Sequence, residues 1–554
     1  MKNIIALLAI LLCGTHYISA QSRYESRLPF KQKNGYTVGG IVECDGKPLK
    51  NVSVSDGYEI TATDSKGAYH LKSDKRNRQI FIITPSGYEP TRTDAVPDFW
   101  ADLTDASDTF ERHDFRLVKT GNKDFGLIVT TDMHFHGKRN DEKTFRGYMQ
   151  VINREFESLR RDSMPVYSIG LGDISYDQHW YETGVDIERT RQILNENGWQ
   201  APFYNIMGNH DSDGAVCAGD STDFLSAVRY MKTYGPRYYS MNIGNVHFVM
   251  LDNIVYHNTP ASSSGYEGIR GKRDYKAVFT PEQLDWLEKD LKTVNKKSPL
   301  VICMHSPIHS YKNASLEITY GTDRETSQIL EKIVAPFEKV HILSGHTHKN
   351  GLTRVKNGNH ELICHNLIST CGSIWWNSSF GQPNLGHDGN PVGFDVYRIS
   401  GDSVNWRFVT YDNNPADQFK VWDSNSLKRH FATDSEALTL QRHFPKWGNY
   451  CHLPENSLLV QVWAWDPEGK LTAMQNGVEL PVKCVYEIHP DYYSQTAITK
   501  AVWNGDYKKV LSKPKRVRMF LVTAADSTSP VEISWKDPFG NLDKRNFFRD
   551  SSNP

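Results

Sequence analysis

Phe125-Gly126-Leu127-Ile128-Val129-Thr130 is an apolar run, and Thr131-Asp132-Met133-His134 follows it at once. A short apolar run of this kind reads as a strand buried on both faces. Phe145, Tyr148, Met149, Ile152, Phe156 and Leu159 then recur at helical spacing, and Val166 to Leu171 is the next apolar run. Further along, Thr280-Pro281-Glu282-Gln283 has the form of a capping box with proline at the first helical position. Leu284, Leu287, Leu291 and Val294 continue that helix, and Leu300 to Met304 and Val340 to Leu343 are more runs. Strands alternating with amphipathic helices predict an α/β core over residues 124–395, its sheet covered by helices.

Each run is followed by residues that carry chemistry. Asp132 and His134 come after the first, Gly172-Asp173 after the second, and Gly208-Asn209-His210-Asp211 after Phe203 to Met207. His305 follows Leu300 to Met304, and Gly345-His346-Thr347-His348 follows Val340 to Leu343. Ligands of open α/β sheets bind beyond the carboxyl ends of the strands, so five segments are expected to meet in one crevice. Imidazole and carboxylate donors suit Zn, Mn, Fe or Ni, and the lack of cysteine ligands speaks against a structural zinc clamp. Two such ions, about 3.5–4 Å apart, can bind a phosphoryl oxygen and generate hydroxide near neutral pH. Their excess positive charge favours an anionic ester and its transition state. Any one motif is weak, since a lone Gly-Asp is usually a turn. The ordered set of five carries the reading.

That set, Asp-x-His, Gly-Asp, Gly-Asn-His-Asp, His and Gly-His-Thr-His, resembles the calcineurin-like metallophosphoesterase superfamily over residues 124–395. The resemblance implies an αββα sandwich and two divalent metal ions. Asp132, His134 and His348 would bind the first, Asn209, His305 and His346 the second, and Asp173 would bridge them. It places His210 beside the phosphate, to protonate the leaving oxygen or stabilise charge. Asp211 would orient His210 by accepting its other N–H, or else cap the following turn. Gly172-Asp173-Ile174-Ser175-Tyr176 also fits the Gly-Asp-x-x-Tyr motif of purple acid phosphatases, whose tyrosine binds ferric iron. Those enzymes lack a histidine at the place of His134, so Tyr176 is expected to pack or to touch substrate.

His136 would share a face with His134 on a strand, a hint of His-x-His ligation. Lys138 and Arg139 stand where the Asp-His pair of such sites would be, so His136 is expected at the pocket edge or exposed. His309 is a further candidate substrate contact, and Asn253 follows the Phe248 to Leu251 run. Trp375 and Trp376 are expected to pack against the C-terminal domain, the alternative being a stack on substrate.

Residues 35–118 read as short strands with turns at Asp45-Gly46, Asp56-Gly57 and Thr63 to Gly67, a small antiparallel β-sandwich. From 396 to 554 strands return, at Phe394 to Ile399, Val404 to Thr410, Leu458 to Trp465 and Arg518 to Val522, predicting a C-terminal β-rich domain. Both flanks resemble the accessory domains of an exported bacterial subgroup of the superfamily and could touch cell-envelope glycan. Residues 257–276 read as a long polar loop, functional or mobile. Lys2, the apolar run Ile4 to Cys13 and Ile18-Ser19-Ala20 make residues 1–20 a signal peptide, predicting export to the periplasm or beyond. Leu11 and Leu12 argue against a lipid anchor at Cys13, and no later segment reads as membrane-spanning. Seven cysteines follow the signal without C-x-x-C spacing. Their odd number leaves at least one thiol unpaired within the chain, and Cys364 and Cys371 could bridge.

Lys and Arg total 64 against 65 for Asp and Glu, so no general attraction to nucleic acid follows. The predicted activity is hydrolysis of phosphate esters, with diesters favoured because the Asp-x-His form resembles many diesterases. The alternatives are a monoesterase of the same fold and a non-catalytic envelope-binding protein. A serine hydrolase lacks its Gly-x-Ser-x-Gly, and a P-loop enzyme its Gly-x-x-x-x-Gly-Lys.

Overall fold

A computed structural model of the chain describes residues 24–549, apart from 105, 262–264, 313–315, 412–413, 415, 444, 446–448 and 492–515. The signal-peptide reading, Cys13 included, therefore lies outside the described residues.

The fold is built on two mixed sheets with helices around them. In the first, Phe203–Asn205, Val166–Gly170 and Asp124–Thr130 run parallel, and Gly393–Ser400 and Ser403–Thr410 complete it antiparallel. In the second, Val246–Met250, Leu300–Cys303, Lys339–Ser344 and His360–Asn366 are parallel neighbours, with Tyr239–Ile243 and Gly351–Asn357 at the edges. Parallel strands need crossovers long enough to hold a helix. Asp141–Arg161 fills the first crossover and buries Phe145, Met149, Ile152, Phe156 and Leu159, the stripe seen in the sequence. Pro281–Leu291 precedes Leu300–Cys303, and the Thr280 side chain accepts from Gln283 N as the capping box requires. Arg324–Val334 fills the crossover to Lys339–Ser344, with Asp323 as its cap.

Two boundaries differ from the sequence reading. Gly393–Ser400 and Ser403–Thr410 belong to the core sheet, because Asp124–Val129 pairs with Asp395–Ser400 residue for residue. The core thus runs to about residue 410, and the C-terminal domain begins later than 396. Apolar alternation marks a strand but not the sheet it joins. The polar segment 257–276 is mostly a hairpin, Ile254–Thr259 against Lys272–Ala277. Its second strand, Lys-Arg-Asp-Tyr-Lys-Ala, has no apolar face and hides from a hydrophobicity pattern.

The N-terminal domain stacks a six-stranded sheet on a four-stranded one. It is not purely antiparallel, since Val38–Cys44 pairs in parallel with Phe115–Lys119. Its apolar residues merge with those of the catalytic core into one continuous cluster. The C-terminal domain has two four-stranded sheets of its own and also two helices absent from the strand-only reading, Ser424–Thr433 and Ser435–His443. Its two main apolar clusters are separate, and a small third cluster of Ile368, Phe408 and Trp463 joins it to the core. All seven described cysteines are free. The Cys364–Cys371 bridge does not form: Cys364 Sγ lies 3.6 Å from His309 Nδ1, while Cys371 Sγ points to Gly372 O at 3.5 Å. Among the described residues no helix is long and apolar enough to cross a membrane.

Candidate metal centre

Five parallel strands from the two sheets end at one place. Asp132, Asp173 and Asn209 follow the three parallel strands of the first sheet, and His305, His346 and His348 follow neighbouring strands of the second. Five of the predicted ligands have left-handed backbone: Asp132 (φ 50°), His134 (46°), Asp173 (51°), His346 (70°) and His348 (54°). Non-glycine residues rarely adopt this conformation, and clusters of it mark functional turns. The turns bend each chain sharply past the strand end, so that side chains project into the shared crevice. The glycines beside them leave room for the ligands. A Cβ on Gly208 would lie 2.2 Å from Asp173 Oδ1, and one on Gly345 would lie 1.9 Å from Thr131 Oγ1 and 2.6 Å from Asp132 Oδ2.

The donor atoms face one another. His134 Nε2 lies 3.1 Å from His348 Nε2, 3.6 Å from Asp132 Oδ1 and 3.6 Å from Asp173 Oδ2. His348 Nε2 is 3.2 Å from Asp132 Oδ1. His305 Nε2 is 3.2 Å from each of Asp173 Oδ2, Asn209 Oδ1 and His346 Nδ1. All seven predicted ligands are thus in one continuous cluster, with Asp173 in contact with both halves. The groups Asp173–His305–His346, His134–Asp173–His210 and His134–His348–Cys371 each offer donors within 4.8 Å of one another. Asp132 Oδ1 is buried without a hydrogen-bond donor, a carboxylate oxygen set among imidazole nitrogens. That donor set fits divalent transition ions.

The electrostatics agree. Burial would raise the Asp132 carboxyl, but His348 and His134 outweigh it and hold it well below the usual range. Asp173 is likewise depressed, burial being overcome by His305 and His210. Burial lowers His134 to about 4 and, helped by the charge on His305, lowers His346 to about 4. His305 goes the other way, to about 9, because Asp173 outweighs burial. A divalent cation held by these donors would balance the carboxylates in place of the proton on His305.

His210 has the partner expected of a catalytic histidine, but the partner is not Asp211. His210 Nδ1 bonds Asp177 Oδ1 at 2.7 Å, and Asp177 pairs with Arg273 Nε at 2.7 Å through its other oxygen. The Asp211 carboxylate is used up by Ser175 N, Ser175 Oγ and Gly208 N. It ties together the two loops that carry Asp173 and Asn209, and burial with the nearby Asp173 charge raises it to about 7. Adjacent residues on a tight turn point apart, so Asp211 cannot reach the ring beside it. Asp177 can, from the single-turn helix Asp177–His179 four residues past Asp173.

The other predicted contacts divide. Tyr176 stacks on His210, with centroids 4.4 Å apart, and meets His134 edge-on, so it borders the centre. His136 is fully buried, with Nδ1 and its backbone N on Asp141, and is not exposed. The strand-like continuation behind that expectation is broken by left-handed His134 and by the turn at Gly137. His309 spends Nε2 on Glu331 at 2.7 Å and borders a different cavity. Asn253 braces Ser306 O and Thr322 Oγ1. Trp375 is buried within the catalytic domain, donating to Met133 O behind the ligands, and not against the C-terminal domain. Trp376 lies under the Arg139 guanidinium at 3.7 Å. Sequence reasoning missed Asp177, Arg273, Tyr275, whose hydroxyl is 3.3 Å from His346 Nε2, and Cys371. Arg273 and Tyr275 share the polar hairpin strand Lys272–Ala277, which gave no signal.

No curated protein matches the chain. Similar solved structures include GAP50, the anchor in the inner membrane complex of Plasmodium, at 12% identity and a TM-score of 0.30, covering 53% of this chain and 87% of that one. Purple acid phosphatase PPD1 from yellow lupin (Lupinus luteus) seeds shares 12% identity at a TM-score of 0.35 and coverages of 66% and 68%. The Thermus thermophilus sulfate thiohydrolase SoxB, in complex with glycerol, shares 10% at a TM-score of 0.27 and coverages of 52% and 57%. Likenesses at TM-scores this low bear on neither the substrate nor the partners of this chain. The family models are more telling. Residues 36–120 match the N terminal of calcineurin-like phosphoesterase, 125–350 the calcineurin-like phosphoesterase itself, and 364–542 its C terminal. With the donor cluster inside the central match, the chain belongs to the calcineurin-like phosphoesterase family and is a metal-dependent phosphoester hydrolase.

Proposed function

We propose that the enzyme is a phosphodiesterase with two divalent metal ions. Asp132, His134 and His348 would hold one, Asn209, His305 and His346 the other, and Asp173 would bridge them. The observation that carries this reading is the single cluster formed by these seven side chains around Asp173. When bound, the ions supply Lewis acidity toward the phosphoryl oxygens and acidify water toward neutral pH. The protein contributes position and a proton. Asp177, itself held by Arg273, fixes the His210 ring through Nδ1 and leaves Nε2 for the substrate. There Nε2 donates a proton to the departing oxygen or a hydrogen bond to a phosphoryl oxygen. Tyr176 covers one face of that ring, and Tyr275 approaches from the side of His346.

Preference for diesters is supported by how the nearby arginines are used. A monoester brings a second negative charge that calls for a further cation. Arg273 is engaged by Asp177 and Asn209 O, and Arg139 by Ile374 O and the Trp376 ring. We further propose that the enzyme works outside the cytoplasm, as the apolar leader suggests. Hydrolysis of bis(p-nitrophenyl) phosphate against p-nitrophenyl phosphate, after reconstitution with Mn²⁺, Zn²⁺, Fe²⁺ or Ni²⁺, tests the diester reading. Higher kcat/KM on the diester is expected, and a marked preference for the monoester overturns it.

A further inference from the structure

A cavity of about 710 Å³ lies between the catalytic core and the C-terminal domain. Its core wall is the chain just past the ligand turn, with Thr347 between His346 and His348, then Lys349 and Asn350. His387 is also in the wall. Its ring stacks on that of His348, with centroids 5.0 Å apart and planes at 19°, and its backbone N–H donates to His348 O at 2.8 Å. The cavity is therefore one ring away from the candidate metal centre. The opposite wall is the C-terminal domain, which brings Trp465, Tyr486 and Arg518.

The lining has a definite chemistry. Lys349, Arg516 and Arg518 bring positive charge against one carboxylate, Asp388, which is occupied by Asn350 N and Asn390. The Arg518 guanidinium lies over Trp465 at 4.3 Å and near Tyr486 at 5.8 Å. Arg516 is drawn partly onto Glu487 at 3.2 Å. A flat guanidinium seated on rings, with amides around it, suits a planar or hydroxylated ring that carries an anionic group. The volume is within the range for a ligand of some tens of atoms and far beyond a phosphoryl group alone.

We propose that this cavity receives the organic group of the diester, and that this group is a ring bearing a second negative charge, a nucleotide or a sugar phosphate. The C-terminal domain thereby sets the specificity of a reaction carried out in the core. This rests on the phosphodiesterase reading. The test is steady-state kinetics of the metal-reconstituted full chain with UDP-glucose, whose P–O–P bridge is cleaved by water at one diesterified phosphorus to give UMP and glucose 1-phosphate, and with p-nitrophenyl phosphorylcholine and bis(p-nitrophenyl) phosphate. The wild type should show a lower KM for UDP-glucose than for the zwitterionic choline ester. Arg518→Gln and Lys349→Ala should each lower the ratio of kcat/KM on UDP-glucose to that on bis(p-nitrophenyl) phosphate by about tenfold or more, through KM. Competition by UMP or by glucose 1-phosphate then tells a nucleotide from a sugar phosphate. A ratio unmoved in both variants overturns the proposal, as does a wild type that cleaves bis(p-nitrophenyl) phosphate and leaves UDP-glucose intact. A wild type that cleaves no diester overturns the phosphodiesterase reading itself.

Discussion

Trp286 of the catalytic core buries its ring beside Phe81 of the N-terminal domain and donates to Ser55 Oγ at 3.0 Å, whereas Arg354 of the core reaches the C-terminal domain through a two-pronged ion pair with Asp466. The first contact belongs to an apolar cluster that runs unbroken through both units. The second sits among charges, with Lys356 and Glu468 2.6 Å apart beside it and the large cavity near by. Apolar burial is not subject to the charge screening that weakens ion pairs. The N-terminal domain is thus part of the framework that holds the catalytic strands. The C-terminal domain has its own cores and meets the catalytic domain across a mixed junction, in which ion pairs stand beside only a small apolar cluster of Ile368, Phe408 and Trp463, the kind of junction where ligand sites occur.

This contrast can be broken by experiment. Trp286→Ala should cost about 3–5 kcal/mol in urea unfolding. Circular dichroism should show the N-terminal domain and core melting together, and separate transitions for the two would refute the shared core. Within that unit, burial raises the Asp395 carboxyl to about 7 from its ordinary 3.8. A raised acid favours the folded state in its protonated form, so this stability is full below about pH 4 and is lost as the pH rises through 7. The change is on the order of 4 kcal/mol, and Asp395→Asn should flatten it in the core transition only. At the other junction, Arg354→Ala should lower stability by roughly 2–3 kcal/mol, leaving buried Asp466 unpaired, and the loss should fall on C-terminal domain docking. A uniform shift of every transition would erase the distinction. Smallest in free energy is Asp177→Asn, which keeps the fold but loosens the His210 ring. It should lower kcat by about tenfold to a hundredfold with little change in KM and alter the pH profile. Unchanged kcat would mean that Asp177 is only a packing group.

What the sequence shows and hides follows from the same contrast between local and distant pattern. Asp132, Asp173, Asn209, His305, His346 and His348 were legible because each sits just past an apolar strand, and strand and ligand together make one local pattern. The strained turns and the flanking glycines are the structural side of that pattern. Asp177 was not legible, because it acts across a loop crossing from a short helix, while Asp211, next to His210 in sequence, faces elsewhere. Arg273 and Tyr275 come from a hairpin strand held by backbone pairing in a polar stretch, where no hydrophobic period exists to reveal it. Gly393–Ser400 and Ser403–Thr410 are legible as strands but not as members of the core sheet, since pairing with Asp124–Thr130 is a contact across more than two hundred and fifty residues. His387 stacks on His348 through a loop that carries no motif.

Metal content read against activity tests the central claim most directly. The purified chain, dialysed against Mn²⁺ or Zn²⁺ and measured by inductively coupled plasma mass spectrometry, should bind two ions per molecule. Asp173→Asn should lose both the second ion and nearly all hydrolysis of bis(p-nitrophenyl) phosphate. A wild type that holds no tightly bound ion and still hydrolyses the ester after exhaustive chelation would contradict it.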